Sequence, residues 1–258
     1  MSFLQSAGAL AKRLAVQVLL AGVVLGGCTR KAPIGLPQAE LPTLQPVATY
    51  FITPAIAEAS GICYRKVSNS LLVVSDDRPE VFEIDLTGRV IRSIPTTCVD
   101  LEGVAVAADG DTVYVVQECP QLLTAVRWDG TELFSLSVRV ATAENHALEG
   151  VTLDKSGNLY VVNEKDPRML LQYRGPAEMA RVEITAFADL SDVCYDEAED
   201  CLWIISDESL KIGKFSRDGV LLGEWFIPFS KGEGIAVVGR TLYVVQDGES
   251  KLYVFDKP

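Results

Sequence analysis

Residues 102–118 read EGVAVAADGDTVYVVQE: two short apolar runs joined by a polar turn, with a glutamate at each end. The pattern recurs in the chain, and the other copies are residues 60–76, 149–164, 191–207 and 233–247. From Ser60 onward the copies start 42, 47, 42 and 42 residues apart. A period near 40 residues, built of short strands, is typical of a β-propeller blade.

Each repeat unit contains strand-like runs separated by turn residues. In the first unit these runs are residues 61–64, 71–75, 81–85 and 90–95. Asp129-Gly130 and Asp218-Gly219 stand at equivalent places in later units, and Asp-Gly pairs favour tight hairpins. The sequence therefore predicts an all-β fold made of four-stranded blades.

The last unit is one strand short. It ends at Pro258 after three strand-like runs, whereas residues 47–52, before the first unit, are rich in strand-forming residues. We expect this N-terminal strand to complete the last blade and close a five-bladed ring over residues 47–258. Closure removes exposed sheet edges, which favours a monomer.

The N-terminus has the features of a secretory signal. Lys12 and Arg13 precede an apolar run at residues 14–24, and Leu-Gly-Gly leads to Cys28. This resembles the bacterial lipobox, which implies cleavage before Cys28 and lipid attachment to it. The alternative is an ordinary signal with a chance cysteine.

These features divide the chain into a lipoprotein signal peptide at residues 1–27, a proline-rich tether at 28–46 and the propeller at 47–258. Thr29, rather than Asp, follows the cysteine, which in Gram-negative lipoproteins suggests the outer membrane. The sequence therefore predicts a cell-envelope protein, anchored to the outer membrane and facing the periplasm.

The balance of charge excludes one class of partner. Without Lys12 and Arg13 the chain has 21 basic and 35 acidic residues, a net charge of −14. No basic stripe is present, so the sequence argues against nucleic acid as a partner.

Five cysteines follow Cys28 in a chain predicted to enter an oxidising compartment. We expect disulfides Cys98–Cys119 and Cys194–Cys201, with Cys63 a buried thiol. The alternative is that all five are reduced, buried small hydrophobic residues.

Acidic residues repeat at two positions of the unit. The second strand-like run ends with an acid in every unit, and the first begins with Glu102, Glu149 or Glu233 in three of them. Since the first strand of a blade lines the channel and the second runs antiparallel to it, both positions meet at one mouth of the channel. Calcium takes 6–8 oxygen ligands in flexible geometry and suits such a ring. The predicted calcium ligands are Glu102, Glu118, Glu149, Glu164 and Glu233.

Two other interpretations of these acids stay open. They could accept hydrogen bonds from backbone amides of the adjacent blade, or be neutralised in part by Lys165, Arg78 and Lys231. His146 is the only histidine, so a histidine-based metal cluster is excluded, and we expect it to be a solvated loop residue.

Several segments resemble one known family. They are Glu58-Ala59-Ser60-Gly61-Ile62, Asp100-Leu101-Glu102-Gly103-Val104, Leu148-Glu149-Gly150-Val151, Asn163-Glu164-Lys165-Asp166-Pro167, Asp189-Leu190-Ser191 and Gly232-Glu233-Gly234-Ile235. In this order they are similar to the SdiA-regulated (YjiK-like) family. The resemblance implies a periplasmic or membrane-associated propeller that binds calcium, with distant kinship to phytase-like and lactonase-like propellers. Asp192 departs from the pattern, which has glycine at that position.

Two functions follow from these observations. The first is a lipid-anchored propeller that binds or scaffolds an unidentified small molecule or protein, with calcium at the channel mouth. The second is a calcium-dependent phosphoesterase or lactonase-like hydrolase, in which Glu149 or Glu164 acts as base.

Overall fold

The computed structural model describes residues 41–140 and 146–258, and these residues form five antiparallel four-stranded sheets. The sheets are the five blades of a β-propeller, so the predicted fold is confirmed. The predicted signal peptide and most of the predicted tether lie outside the described residues. Within the described ranges, no helix has the length and apolar character needed to cross a membrane.

Consecutive strands make up each blade, except that the first strand of the chain joins the last blade. Strand β1 is Ala48–Phe51. Blade 1 consists of β2 (Ala59–Arg65), β3 (Ser70–Ser75), β4 (Arg78–Ile84) and β5 (Val90–Pro95). Blade 2 consists of β6 (Leu101–Val106), β7 (Thr112–Gln117), β8 (Leu122–Arg127) and β9 (Glu132–Ser137). Blade 3 consists of β10 (Leu148–Leu153), β11 (Leu159–Asn163), β12 (Met169–Arg174) and β13 (Ala177–Glu183). Blade 4 consists of β14 (Asp192–Asp196), β15 (Cys201–Ser206), β16 (Lys211–Phe215) and β17 (Leu221–Phe226). Blade 5 consists of β18 (Gly232–Val238), β19 (Thr241–Gln246), β20 (Lys251–Asp256) and β1.

The apolar core lies between adjacent blades rather than inside any one of them. Leu71 and Val73 of β3 pack toward blade 5, whereas Leu72 and Val74 pack toward blade 2. Because both faces of the middle strands are buried, every residue of β3 is apolar or small. This explains why the repeats read as continuous Val-Leu-Ile runs instead of alternating ones.

Strand β1 closes the ring as predicted. Ala48–Phe51 pairs antiparallel with β20, and Val47 N donates to Val254 O at 2.7 Å. Ile52, which follows β1, is 2% exposed and belongs to the cluster between blades 5 and 1. The N-terminal strand therefore completes a sheet and also seals the last interface of the ring.

Residues just before β1 pair with a different blade. Leu44 N donates to Phe226 O at 2.8 Å, and Phe226 N donates to Pro42 O at 2.9 Å. These bonds lay residues 42–44 beside β17, the outer strand of blade 4. The segment assigned to the tether is thus bound to the propeller at its C-terminal end.

Neither predicted disulfide is formed, and strand register explains why. Cys194 lies opposite Trp203, and Cys201 lies opposite Asp196, so the two cysteines are diagonal neighbours. Diagonal pairs lie about 7–8 Å apart, beyond the usual Cα separation of a disulfide. Cys63, Cys194 and Cys201 are all thiols.

Cys98 is also a thiol, buried at 2% exposure in the apolar cluster between blades 1 and 2. Cys119 instead lies at the channel mouth, where its N–H donates to Asp100 Oδ2 at 2.7 Å. The predicted Cys98–Cys119 bridge would have to join two different environments.

Candidate functional site

An open cavity of about 470 Å³ lies at one mouth of the channel, where the first strand of each blade begins and the second ends. We call this cavity the acidic cup. Its lining residues are Asp76, Asp100, Glu102, Glu118, Cys119, Glu149, Glu164, Lys165, Asp189, Ser191, Asp207, Glu208 and Glu233. All five predicted calcium ligands are among them.

The predicted ring of acids is nearly complete. Of the acids that end the second strands, Asp247 alone does not line the acidic cup. Its Oδ2 pairs instead with Lys231 Nζ, on the residue directly before β18. Both repeated positions therefore line the cup in blades 2, 3 and 4, and one of the two does so in blades 1 and 5.

Close packing of the first strands brings the acids of neighbouring blades together. A Cβ built on Gly61 would lie 2.4 Å from the carbonyl oxygen of Glu102, and one on Gly103 would lie 2.4 Å from that of Glu149. Only glycine fits there, which explains the Glu-Gly pairs of the repeat. The glycines let adjacent first strands approach backbone to backbone, with their glutamates side by side.

Three carboxylates from two blades come close together in the acidic cup. Glu118, Glu149 and Glu164 each offer an oxygen within 4.8 Å of the others, and we call them the inner triad. They come from the end of β7, the start of β10 and the end of β11. Glu102 and Glu233 line the same cavity but lie outside this closest group.

Burial and mutual repulsion raise the pKa values of these carboxyl groups. Burial has the largest effect on Glu149, whose pKa rises well above 4.5, and repulsion from Glu102 and Glu118 adds to it. Burial and neighbouring acids raise the pKa of Glu102 to about 8. Burial likewise raises the pKa values of Glu118 and Glu233 to about 7. Without a bound cation, the acidic cup therefore holds protons near neutral pH.

Hydrogen bonds favour the ionised form of three of these glutamates. The Ser60 hydroxyl lowers the pKa of Glu102, and the Ser191 hydroxyl lowers that of Glu233, because each stabilises the neighbouring carboxylate. The amide of Ala147 donates to Glu118 Oε1 at 3.3 Å, which joins blade 2 to blade 3. For Glu118, the alternative role as an acceptor of an adjacent blade's amide is therefore also observed.

One lysine supplies positive charge within the cup. Lys165 Nζ lies 2.8 Å from Glu164 Oε1 and 3.0 Å from Glu208 Oε1, and it is the only cation among the described lining residues. Burial raises the pKa of Glu164, while Lys165 opposes that shift. Arg78 does not contribute, because it pairs with Glu80.

His146 lies at the rim of the cup and is not simply solvated. Its Nδ1 is 2.8 Å from Asp166 Oδ2, and its carbonyl accepts a hydrogen bond from Asn163 Nδ2 at 2.9 Å. Asn163 also binds the carbonyls of Lys165 and Pro167. This buried amide therefore holds both rim segments of blade 3 in place.

Three lining acids stand outside the two repeated positions from which the ring was predicted: Asp100, Asp189 and Glu208. Asp189 is 3% exposed and accepts hydrogen bonds from the Ser206 hydroxyl and, at 3.2 Å, from the Glu208 amide. An Asp-Leu pair precedes the first strand in blades 2 and 4, and this repeated pair is the signal that could have identified two of them.

The fold and the cavity define a class: a five-bladed β-propeller with an acidic cup at one mouth of its channel. The SdiA-regulated family matches residues 47–256, which is nearly the whole ring. The chain belongs to the SdiA-regulated family.

Solved propellers of varied function share the fold. Glutaminyl cyclase from Myxococcus xanthus aligns with a TM-score of 0.65 at 13% identity, over 83% of this chain and 97% of its own. A gluconolactonase from Xanthomonas campestris aligns with a TM-score of 0.55 at 13% identity, over 85% of this chain and 95% of its own. A chain of a nidogen–laminin complex aligns with a TM-score of 0.55 at 15% identity, over 77% of this chain and 76% of its own. At these identities the likeness concerns the fold alone.

Proposed function

We propose that this protein is a lipid-anchored, extracytoplasmic propeller that acts as a binding or scaffolding module, with a calcium ion in the acidic cup. The observation that carries the proposal is the inner triad, three carboxylates within 4.8 Å that face an open cavity. Two unit charges 4 Å apart repel by about 4 kcal/mol at an effective dielectric of 20. A hard divalent cation relieves this repulsion and prefers such oxygen donors.

A second acidic cluster shows how this chain neutralises acids that need no ion. Asp196 and Glu199, at the opposite face, lie 2.6 and 2.7 Å from Lys257 Nζ, and Lys257 is itself 7% exposed. In the acidic cup, Lys165 binds only Glu164 of the inner triad. The remaining carboxylates are available for a cation, and Glu118, Glu149 and Glu164 would hold it, with Glu102 and Glu233 nearby.

A calcium titration tests this proposal. Metal-free protein should bind calcium and gain thermal stability, because a ligand specific for the folded state adds RT ln(1 + [L]/Kd). Glu149→Gln should weaken calcium binding at least about tenfold, since it removes one charge from the triad. Glu197→Gln, the same change on an exposed hairpin acid at the opposite face, is the matched control.

Isothermal titration calorimetry and a melting curve with and without chelator supply the two readouts. The cation site would be refuted if calcium produced no binding heat and left the melting temperature of the metal-free protein unchanged. Equal weakening by Glu149→Gln and Glu197→Gln would place the ion outside the cup.

The anchor rests on the sequence around Cys28, which lies outside the described residues. We expect Cys28→Ser to block lipid attachment and release the protein from the membrane fraction. Metabolic labelling with a fatty acid and fractionation measure both effects. Wild-type fractionation of the variant would exclude the lipobox interpretation.

A hydrolase is the second candidate, favoured by the size of the acidic cup. At about 470 Å³, the cavity has room for a small ligand beside a cation. Bound calcium would lower the pKa of a water molecule, and Glu149 or Glu164 would accept its proton. The gluconolactonase shows that this fold supports lactone hydrolysis in another protein.

A panel of phosphoesters and lactones separates the two candidates. Calcium-dependent turnover that is lost in Glu149→Gln and kept in Glu197→Gln would identify an enzyme. Calcium binding without turnover across the panel favours the binding module.

A further inference from the structure

Asp192 breaks the glycine pattern of the channel. Gly61, Gly103, Gly150 and Gly234 occupy the equivalent place in the other four blades. At Gly150, a Cβ would lie 2.5 Å from Asp192 Oδ1, so the carboxyl group fills the space beside the neighbouring first strand. Asp192 itself is 1% exposed, directly below the acidic cup.

The Asp192 carboxyl accepts backbone hydrogen bonds from three blades. Val193 N, in its own strand β14, donates to Oδ1 at 2.8 Å. Ile235 N of β18 donates to Oδ2 at 2.9 Å, and Ile62 N of β2 also donates to the carboxyl. First strands are sheet edges, so these amides face the channel with no strand partner there. Burial raises the pKa of the Asp192 carboxyl well above 3.8, and the three amides oppose that shift because they stabilise the carboxylate.

We propose that the channel contains a carboxylate-binding site, formed by the amides of Ile62, Val193 and Ile235, which the side chain of Asp192 occupies as a built-in ligand. The site is distinct from the acidic cup, since it is made of N–H donors rather than oxygen acceptors. A small carboxylate such as formate has the shape and acceptor pair to replace the side chain.

Asp192 is also a positioning residue for the acidic cup, and this role rests on the proposed function. Each bound amide lies two residues after the first repeated position of its blade: Ile62 follows Ser60, Val193 follows Ser191, and Ile235 follows Glu233. The hydroxyls of Ser60 and Ser191 lower the pKa values of Glu102 and Glu233 respectively. Asp192 thus fixes the three strand starts that hold these two glutamates.

Chemical rescue tests the site. Asp192→Gly gives blade 4 the residue that the other blades carry and leaves the three amides without an acceptor. We expect the substitution to lower the melting temperature by about 5–10 °C. Sodium formate, added at constant ionic strength, should restore at least half of that loss, and the effect should saturate as the formate concentration rises. All melts are run without calcium, so the result does not depend on the cation site.

A matched control separates rescue from a general salt effect. Lys257→Met loses an ion pair with Asp196 at the opposite face, and formate should not restore it more than sodium chloride does. Asp192→Gly with wild-type stability, or with no greater response to formate than Lys257→Met, would overturn the proposal.

Asp192→Asn provides a second measurement if the glycine variant does not fold. Its amide keeps one acceptor oxygen, so hydrogen exchange at Ile62 or Ile235 should accelerate by about tenfold. Unchanged exchange at both amides would also overturn the site. If formate rescues Asp192→Gly but wild-type protein binds no calcium, the carboxylate site stands and only the proposed cation function fails.

Discussion

Two buried glutamates in this protein have opposite pKa shifts, and their neighbours explain the difference. Glu149 lies among other acids, and its pKa is raised well above 4.5. Glu83 is 2% exposed, yet Ser70 donates to it at 2.6 Å and Arg92 at 2.8 Å. Although burial opposes the shift, these donors lower its pKa to about 2. Burial alone therefore does not identify a candidate site, whereas burial among like charges does.

Glu83 supplies the first prediction. We expect Glu83→Gln to lower the free energy of unfolding at pH 7 by about 2 kcal/mol, because Arg65 and Arg92 lose a charged acceptor. The folded pKa lies below the unfolded value of 4.5, so the wild-type advantage is complete above pH 4.5 and is lost as pH falls toward 2. Urea melts at pH 7 and pH 3 measure this convergence. A gap that widens on acidification would contradict the assignment.

The repetition of acids at two positions of the unit made the acidic cup predictable from the sequence. Glu102, Glu149 and Glu233 stand at one position of the repeat, so their common location followed from the fold. Asp192 appeared in the sequence only as a departure from glycine. Its contact with Ile62 joins residues far apart in the chain, and no local pattern encodes such a contact.

Strand β1 is the element on which closure depends, since it completes blade 5 and places Ile52 against blade 1. Removing residues 47–53, together with everything before them, should expose the edge of β20 and lower the melting temperature by about 10 °C or more. A chain beginning at Val47 is the matched control, because it keeps β1 and lacks the pairing of residues 42–44 with blade 4. Calorimetry and light scattering report stability and association. Equal stability of the two truncated chains would show that β1 does not close the ring.

The sequence predicted β1 but not the docking of residues 42–44. The β1 segment is rich in strand-forming residues, and the last repeat unit is one strand short, so the sequence predicts their pairing. The second segment is proline-rich, and it pairs through backbone groups at Thr43 and Phe226, about 180 residues apart in the chain, while Leu44 packs against the cluster between blades 4 and 5. The predicted disulfides failed for a related reason: spacing placed the cysteines near one another, but register decides which residues face each other across the strands.

The propeller concentrates acidic residues at one mouth of its channel. All five blades contribute acids to the lining of the cup, whereas its one lysine among the described lining residues comes from blade 3. Asp192 adds a buried carboxyl group below the cup. Such a distribution costs stability in the absence of a cation, because like charges are held close together in a partly buried space. The unfolded chain has no such restraint, so the stability of the whole ring depends on what neutralises the cup.

This dependence gives the last prediction, which concerns pH. The folded pKa values of Glu102, Glu118 and Glu233 are about 8, 7 and 7, all above the value of 4.5 for an unperturbed glutamate. Between these limits the folded protein binds more protons than the unfolded chain, so stability falls as pH rises. Metal-free protein should therefore melt at a lower temperature at pH 8 than at pH 5.5, by about 5 °C or more.

Calcium and Glu149→Gln should both flatten this dependence, for the same electrostatic reason. The ion replaces the protons as the neutralising charge, and the variant removes one of the competing carboxylates. Glu197→Gln should keep the wild-type slope, because its side chain is exposed to solvent at the opposite face. Melting curves at pH 5.5, 7 and 8, with chelator or with calcium, measure all three proteins. A metal-free wild-type protein that becomes more stable from pH 5.5 to 8 would show that the cup does not hold protons, and that its acids are already neutralised within the fold.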